Sequence, residues 1–172
     1  MKKIVSVIMA ATITLLLLPY SIFSVSARAA TSGVFTYIVY GGKTIITDVT
    51  ASAEGTISVP DKLGGCKVAV IEDSAFRNCS KITKVILPSG IERIGEMAFQ
   101  GCEKLSEITI PEGVREIGEQ AFRECYEITE ITIPSSVVSM GMEAFYSCRK
   151  LKSITFKNNP KSIESEIGRA HV

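Results

Sequence analysis

Four times, at a constant step of 23 residues, the chain writes Ala-Phe, two variable residues and Cys. The copies are Ala75-Phe76…Cys79, Ala98-Phe99…Cys102, Ala121-Phe122…Cys125 and Ala144-Phe145…Cys148. The surrounding text repeats with them, so that units 91–113 and 114–136 agree at 11 of 23 positions. A fixed period of this length is the mark of a solenoid, whose units bury their apolar faces only against one another. An α/β solenoid follows as the expected fold: a right-handed stack of 23-residue strand–turn–short-helix coils, with residues 68–159 as four regular repeats.

Within a unit, apolar residues two apart predict one short inward-facing strand per coil: Val85/Leu87, Ile108/Ile110, Ile131/Ile133 and Ile154/Phe156. Pro88, Pro111 and Pro134 end these strands, having no N–H for a ladder. A second apolar pair follows (Ile91/Ile94 and its equivalents), and Gly95, Gly118 and Gly141 are read as turning the chain. The Ala-Phe segment then suits a short helix packed on the strand layer. Stacking puts Phe76, Phe99, Phe122 and Phe145 in one column and Cys79, Cys102, Cys125 and Cys148 in another.

Ahead of the repeats, Phe35–Tyr40 and Lys43–Val49 flank Gly41-Gly42, a hairpin signal. Ile57-Ser58-Val59-Pro60 matches the later strand phrase, but five extra residues follow it, with Gly64-Gly65-Cys66 among them. Residues 31–67 are therefore expected to form an N-terminal hairpin and capping coil. Residues 1–29 read as a secretory signal peptide: Lys2-Lys3, an uncharged stretch from Ile4 to Ala27, and a small-x-small site ending at Ala29. An uncleaved membrane anchor is the competing reading, and would be the chain's contact with a membrane. Pro160-Lys-Ser-Ile163 starts a fifth repeat over 160–165. Residues 166–172 resemble the translation of a sequencing adapter, which implies that the natural chain continues.

Without the leader, sixteen Lys and Arg face eighteen Asp and Glu, a net charge of −2, which argues against nucleic acid. Catalysis also lacks groups. The one His, His171, lies in the tail, so nucleophile–His pairs are missing and no enzyme is expected. The four stacked Cys have parallel Cβ directions, poor for disulfides, and a column does not converge on a metal. They read as a buried thiol ladder, with Cys66 apart from it in the inserted loop. No metal or other cofactor is expected.

The phrases Ile94-Gly95-Glu96…Ala98-Phe99…Gly101-Cys102…Leu105…Ile108-Thr109-Ile110-Pro111 resemble the BspA-type (Treponema-like) leucine-rich repeats of bacterial surface proteins. The resemblance covers about 57–165. It implies a secreted or cell-surface module for recognition and adhesion, binding an extracellular protein or glycan. The alternative is a targeting or spacer segment of a larger surface enzyme. The outward strand positions form the expected binding face: Lys84, Ile86, Glu107, Thr109, Glu130, Thr132, Ser153 and Thr155. Tyr126 and Tyr146 are second contacts on the helical side. The full-length parent is expected to be a monomer. The fragment is expected to associate end to end, with Leu151, Ile154 and Phe156 uncovered on its last coil.

Overall fold

The computed structural model describes residues 29–157 and the backbone of 162–163. Residues 1–28 of the expected leader and the 166–172 tail lie outside the described residues. Strand β1 (Ala30–Ser32) pairs antiparallel with β2 (Phe35–Tyr40), which turns through Gly41-Gly42 into β3 (Lys43–Val49). Both turn glycines have positive φ, 58° and 74°, which a side chain would resist. Then follow β4 (Gly55–Ser58), β5 (Lys62–Leu63) and β6 (Cys66–Ile71). The five-residue insertion is the β5–β6 hairpin, and the buried Thr44 hydroxyl donates to the Leu63 carbonyl at 2.6 Å, tying it to β3.

From there the coils alternate between two strand positions. One is occupied by β7 (Ile82–Ile86), β9 (Glu107–Ile108), β11 (Glu130–Ile133) and β13 (Ser153–Phe156). The other holds β8 (Arg93–Ile94), β10 (Glu116–Ile117), β12 (Ser139–Met140) and β14 (Ser162–Ile163). The second set continues one parallel sheet from β3 through β6 to β14, with Ile46, Ile71, Ile94, Ile117, Met140 and Ile163 in register. From β6 onward each rung is one 23-residue period, so like residues meet, and the side chains from Ile46 to Met140 belong to a single buried core.

The expected short helix is absent: among the described residues none is helical. The Ala-Phe segment is instead a third ladder. Ser74, Met97, Gln120 and Glu143 have φ between 53° and 61°, and Asn78, Glu124 and Ser147 between 58° and 62°, with Gly101 at 72° in the equivalent place. A left-handed residue every fourth position stops helix propagation, because L side chains there crowd the carbonyl. It also turns N–H groups along the stack. Phe76, Phe99 and Phe122 donate to the carbonyls of Ala98, Ala121 and Ala144 on the next coil, at 2.7, 2.8 and 2.8 Å. Neighbouring N–H groups close local turns, as Cys102 does on Phe99 at 3.1 Å. The strain of roughly 1–2 kcal/mol per left-handed residue is offset by these bonds and by burial of the Phe column.

Gly95, Gly118 and Gly141 also have a different role from the expected turn. None has positive φ. They sit where successive coils touch: a Cβ on Gly95 would lie 2.6 Å from the Asp73 nitrogen, and one on Gly118 2.5 Å from the Glu96 nitrogen. Glu72 occupies this position in the first repeat, where the preceding element is β3 and its N–H donates to the Ile46 carbonyl at 2.9 Å. On the last coil Leu151 is only 6% exposed, and Ile154 and Phe156 are half-buried, so the expected uncovered apolar end is smaller than the sequence suggests.

Candidate functional site

The Phe and Cys columns are structural throughout. Phe76, Phe99, Phe122 and Phe145 are fully buried, with ring centroids 4.7, 5.2 and 5.2 Å apart. The thiols of Cys102, Cys125 and Cys148 donate to the carbonyls of Phe76, Phe99 and Phe122 on the preceding coil, at 3.1, 3.2 and 3.1 Å. Cys79 reaches Val49 at 3.7 Å. All four are free and buried. Burial pushes their pKa values up, to about 11 for Cys79 and about 12 for Cys148, so they stay protonated and unreactive at neutral pH. Cys66 is half-buried in the β5–β6 hairpin.

Of the eight outward strand residues, all but Lys84 are exposed. Register sets Lys84 beside Glu107, Glu130 beside Ser153 and Thr132 beside Thr155. Ile86 is 46% exposed, an apolar residue that the core does not use. Lys84 is half-buried and forms an ion pair with Glu107. β4 widens this face, placing Thr56 beside Lys84 and Ser58 beside Ile86. Ser58 is legible from the match of residues 57–60 to the strand phrase, whereas Thr56 precedes that match. Tyr126 and Tyr146, on the turn side, are half-buried beneath Arg149 and Arg123 at 4.5 and 5.0 Å, already occupied by contacts within the chain.

The face is not one continuous sheet. β4, β7 and β9 form one piece and β11 and β13 another. On either side of the break the ladder is intact: the Ser106 N–H donates to Thr83 at 3.0 Å, and the Lys152 N–H to Thr129 at 2.8 Å. Among the described residues no backbone bond links 106–111 to 129–134. The break falls where the register would set Glu107 against Glu130. Like charges directly opposite weaken strand pairing, whereas the flanking pairs are Lys84–Glu107 and Glu130–Ser153. A cleft of about 520 Å³ opens there, lined by Glu107, Thr109, Glu130, Thr132, Thr155 and Lys157 among others. At its floor Ile108 is half-buried, although its counterparts Val85 and Ile131 are only 2% and 4% exposed.

In comparisons with known proteins, the sequence matches the BspA-type leucine-rich repeat region in six copies over residues 69–167. No curated protein matches the chain. Among solved structures it is similar to a leucine-rich repeat protein of T. pallidum, at 28% identity and TM-score 0.66, covering 75% of this chain and 64% of that one. It is similar to another from Bacteroides capillosus, at 28% identity and TM-score 0.67, covering 76% of this chain and 99% of that one. The pneumococcal vaccine antigen PcpA shares the fold at 22% identity and TM-score 0.62, over 78% of this chain and 39% of that one. The chain thus spans less than two thirds of the T. pallidum protein and all but 1% of the Bacteroides one.

Proposed function

Because this chain belongs to the BspA-type leucine-rich repeat family, we propose that it is an exported cell-surface recognition module that binds an extracellular protein or glycan through its strand face. The observation that carries the reading is the opened strand face itself. Exposed Thr109, Thr132 and Thr155 hydroxyls, which make no side-chain hydrogen bond to another described residue, and an uncovered Ile86 stand on a rigid stacked scaffold. Rigid presentation lowers the ordering cost of binding. The basic start, apolar middle and cleavage-like end of residues 1–29 support export. We read the role as binding; the chain up to residue 170 offers no His to activate a Ser or Cys nucleophile.

Adhesion of the secreted chain to immobilised extracellular proteins and to a glycan array tests the reading. Thr109→Arg with Thr132→Arg should abolish whatever binding is found without moving the melt, because both side chains point away from the core. Binding that survives the pair unchanged would rule out the strand face. A product that retains residues 1–29 and fractionates with membranes would rule out cleavage of the leader.

A further inference from the structure

We propose that the cleft between β9 and β11 receives an extended, basic segment of a partner protein, with a lysine or arginine side chain seated between Glu107 and Glu130. The proposal rests on the strand-face reading above and names the chemistry of its partner.

The opening is local. The same two coils stay in register at Ile94 and Ile117, and their Phe99 and Phe122 rings lie 5.2 Å apart. A whole strand cannot enter between them, because it would need a second strand spacing of about 4.8 Å. A side chain can enter, with its backbone lying across the mouth. What it meets is polar and unmatched. The outward column reads Lys84, Glu107, Glu130, Ser153: one cation for two carboxylates. Lys84 is on Glu107, and Lys157, the other cation lining the cleft, is on Glu112 at 2.5 Å. Glu130 has no ion pair among the described residues. An ammonium or guanidinium group between the two carboxylates would do for Glu130 what Lys84 does for Glu107. It would sit at the break in the ladder, where Glu107 and Glu130 both line the cleft.

The rest of the cleft suits a polypeptide. Backbone groups that lost their ladder partners need others, and a peptide main chain supplies both donors and acceptors. The hydroxyls of Thr109, Thr129 and Thr132 stand beside them. The half-buried Ile108 offers an apolar floor to the methylene stem of a lysine or arginine. Among the described residues no aromatic ring lines the cleft for a sugar to stack on, which favours peptide over glycan.

The test is a titration of the isotope-labelled chain, followed by amide NMR, with an alternating Thr-Lys hexapeptide and with its Thr-Glu counterpart. The Thr-Lys peptide should saturably shift amides within 106–110 and 129–132, and the Thr-Glu peptide should not. Glu130→Gln should weaken the interaction about fivefold, the effect of one partly exposed ion pair. Glu103→Gln, an exposed carboxylate on the turn side, should leave it unchanged. Absent shifts, shifts spread over the whole surface, or equal binding by the Glu130→Gln variant would overturn the proposal. Shifts centred on Lys84 and Ile86 would overturn the cleft and leave the strand face standing, whereas shifts on the turn side would count against both. A neutral oligosaccharide that moves the cleft amides at lower concentration than the Thr-Lys peptide would overturn it in favour of a glycan.

Discussion

The Ala-Phe ladder and the strand face are built from the same repeats, yet one is closed from coil to coil and the other is split. On the Ala-Phe side each of the three interfaces between the four regular repeats carries backbone bonds, an aromatic stack and a thiol donating to a carbonyl. All of its side chains at the Phe and Cys positions are apolar or nearly so, and stacking like on like therefore adds contacts. On the strand face the outward positions are, apart from Ile86, polar or charged, and Glu107 and Glu130 occupy the same repeat position on successive coils. Identical repetition is favourable for apolar columns and unfavourable for charged ones. The solenoid therefore holds together along its buried columns and is free to vary, and to open, along its outward one.

The contrast can be broken most severely from the closed side. Phe122→Ala removes the middle of the aromatic column, with Phe99 and Phe145 each 5.2 Å away, and should cost about 3–5 kcal/mol in a denaturant melt. A loss under about 1 kcal/mol would mean that the column is not what holds the coils together. Gly118→Ala comes next. Its Cβ would meet the Glu96 nitrogen at 2.5 Å, and the coils would have to part, at a cost of about 1–3 kcal/mol.

Alkaline pH probes the thiols. An unfolded Cys ionises near 9.0, whereas burial raises Cys79 to about 11 and Cys148 to about 12 in the fold. The unfolded chain therefore releases thiol protons first. Stability from the column is complete below about pH 9 and is lost as pH rises through the 9-to-12 window, on the order of 1.4 kcal/mol per pH unit per buried thiol. Urea melts at pH 8 to 10.5 should show the fall, and Cys125→Ala should make it shallower. A pH-independent melt for the parent chain over that range would contradict the burial.

The strand face should respond least. Glu130→Lys restores opposite charges at the break and should stabilise the chain by about 0.2–1 kcal/mol. It should also slow hydrogen exchange at the Thr129 amide. In the parent chain that amide should exchange faster than that of Lys152, which is bonded to the Thr129 carbonyl at 2.8 Å. Equal exchange at the two amides would mean that the ladder is closed in solution.

The 23-residue phrase by itself determined that this is a solenoid, and which side chains form its core columns. Apolar residues at a constant period leave a chain no other way to cover them. It did not decide what the backbone does between those side chains. Whether Ser74 and Asn78 turn left-handed or continue a helix depends on the carbonyls of Glu96 and Gln100 on the next coil, which accept their N–H groups at 2.8 and 2.7 Å. Gly95 and Gly118 read as turns, because nothing local shows the neighbouring coil that a Cβ would strike. The cleft is the clearest case. Residues 107–111 and 130–134 are the same words, Glu-Ile-Thr-Ile-Pro, and each predicts the same strand. Pairing belongs to two strands together. Only stacking places the two copies side by side, and there the sheet opens between β9 and β11 although both strands carry the same sequence.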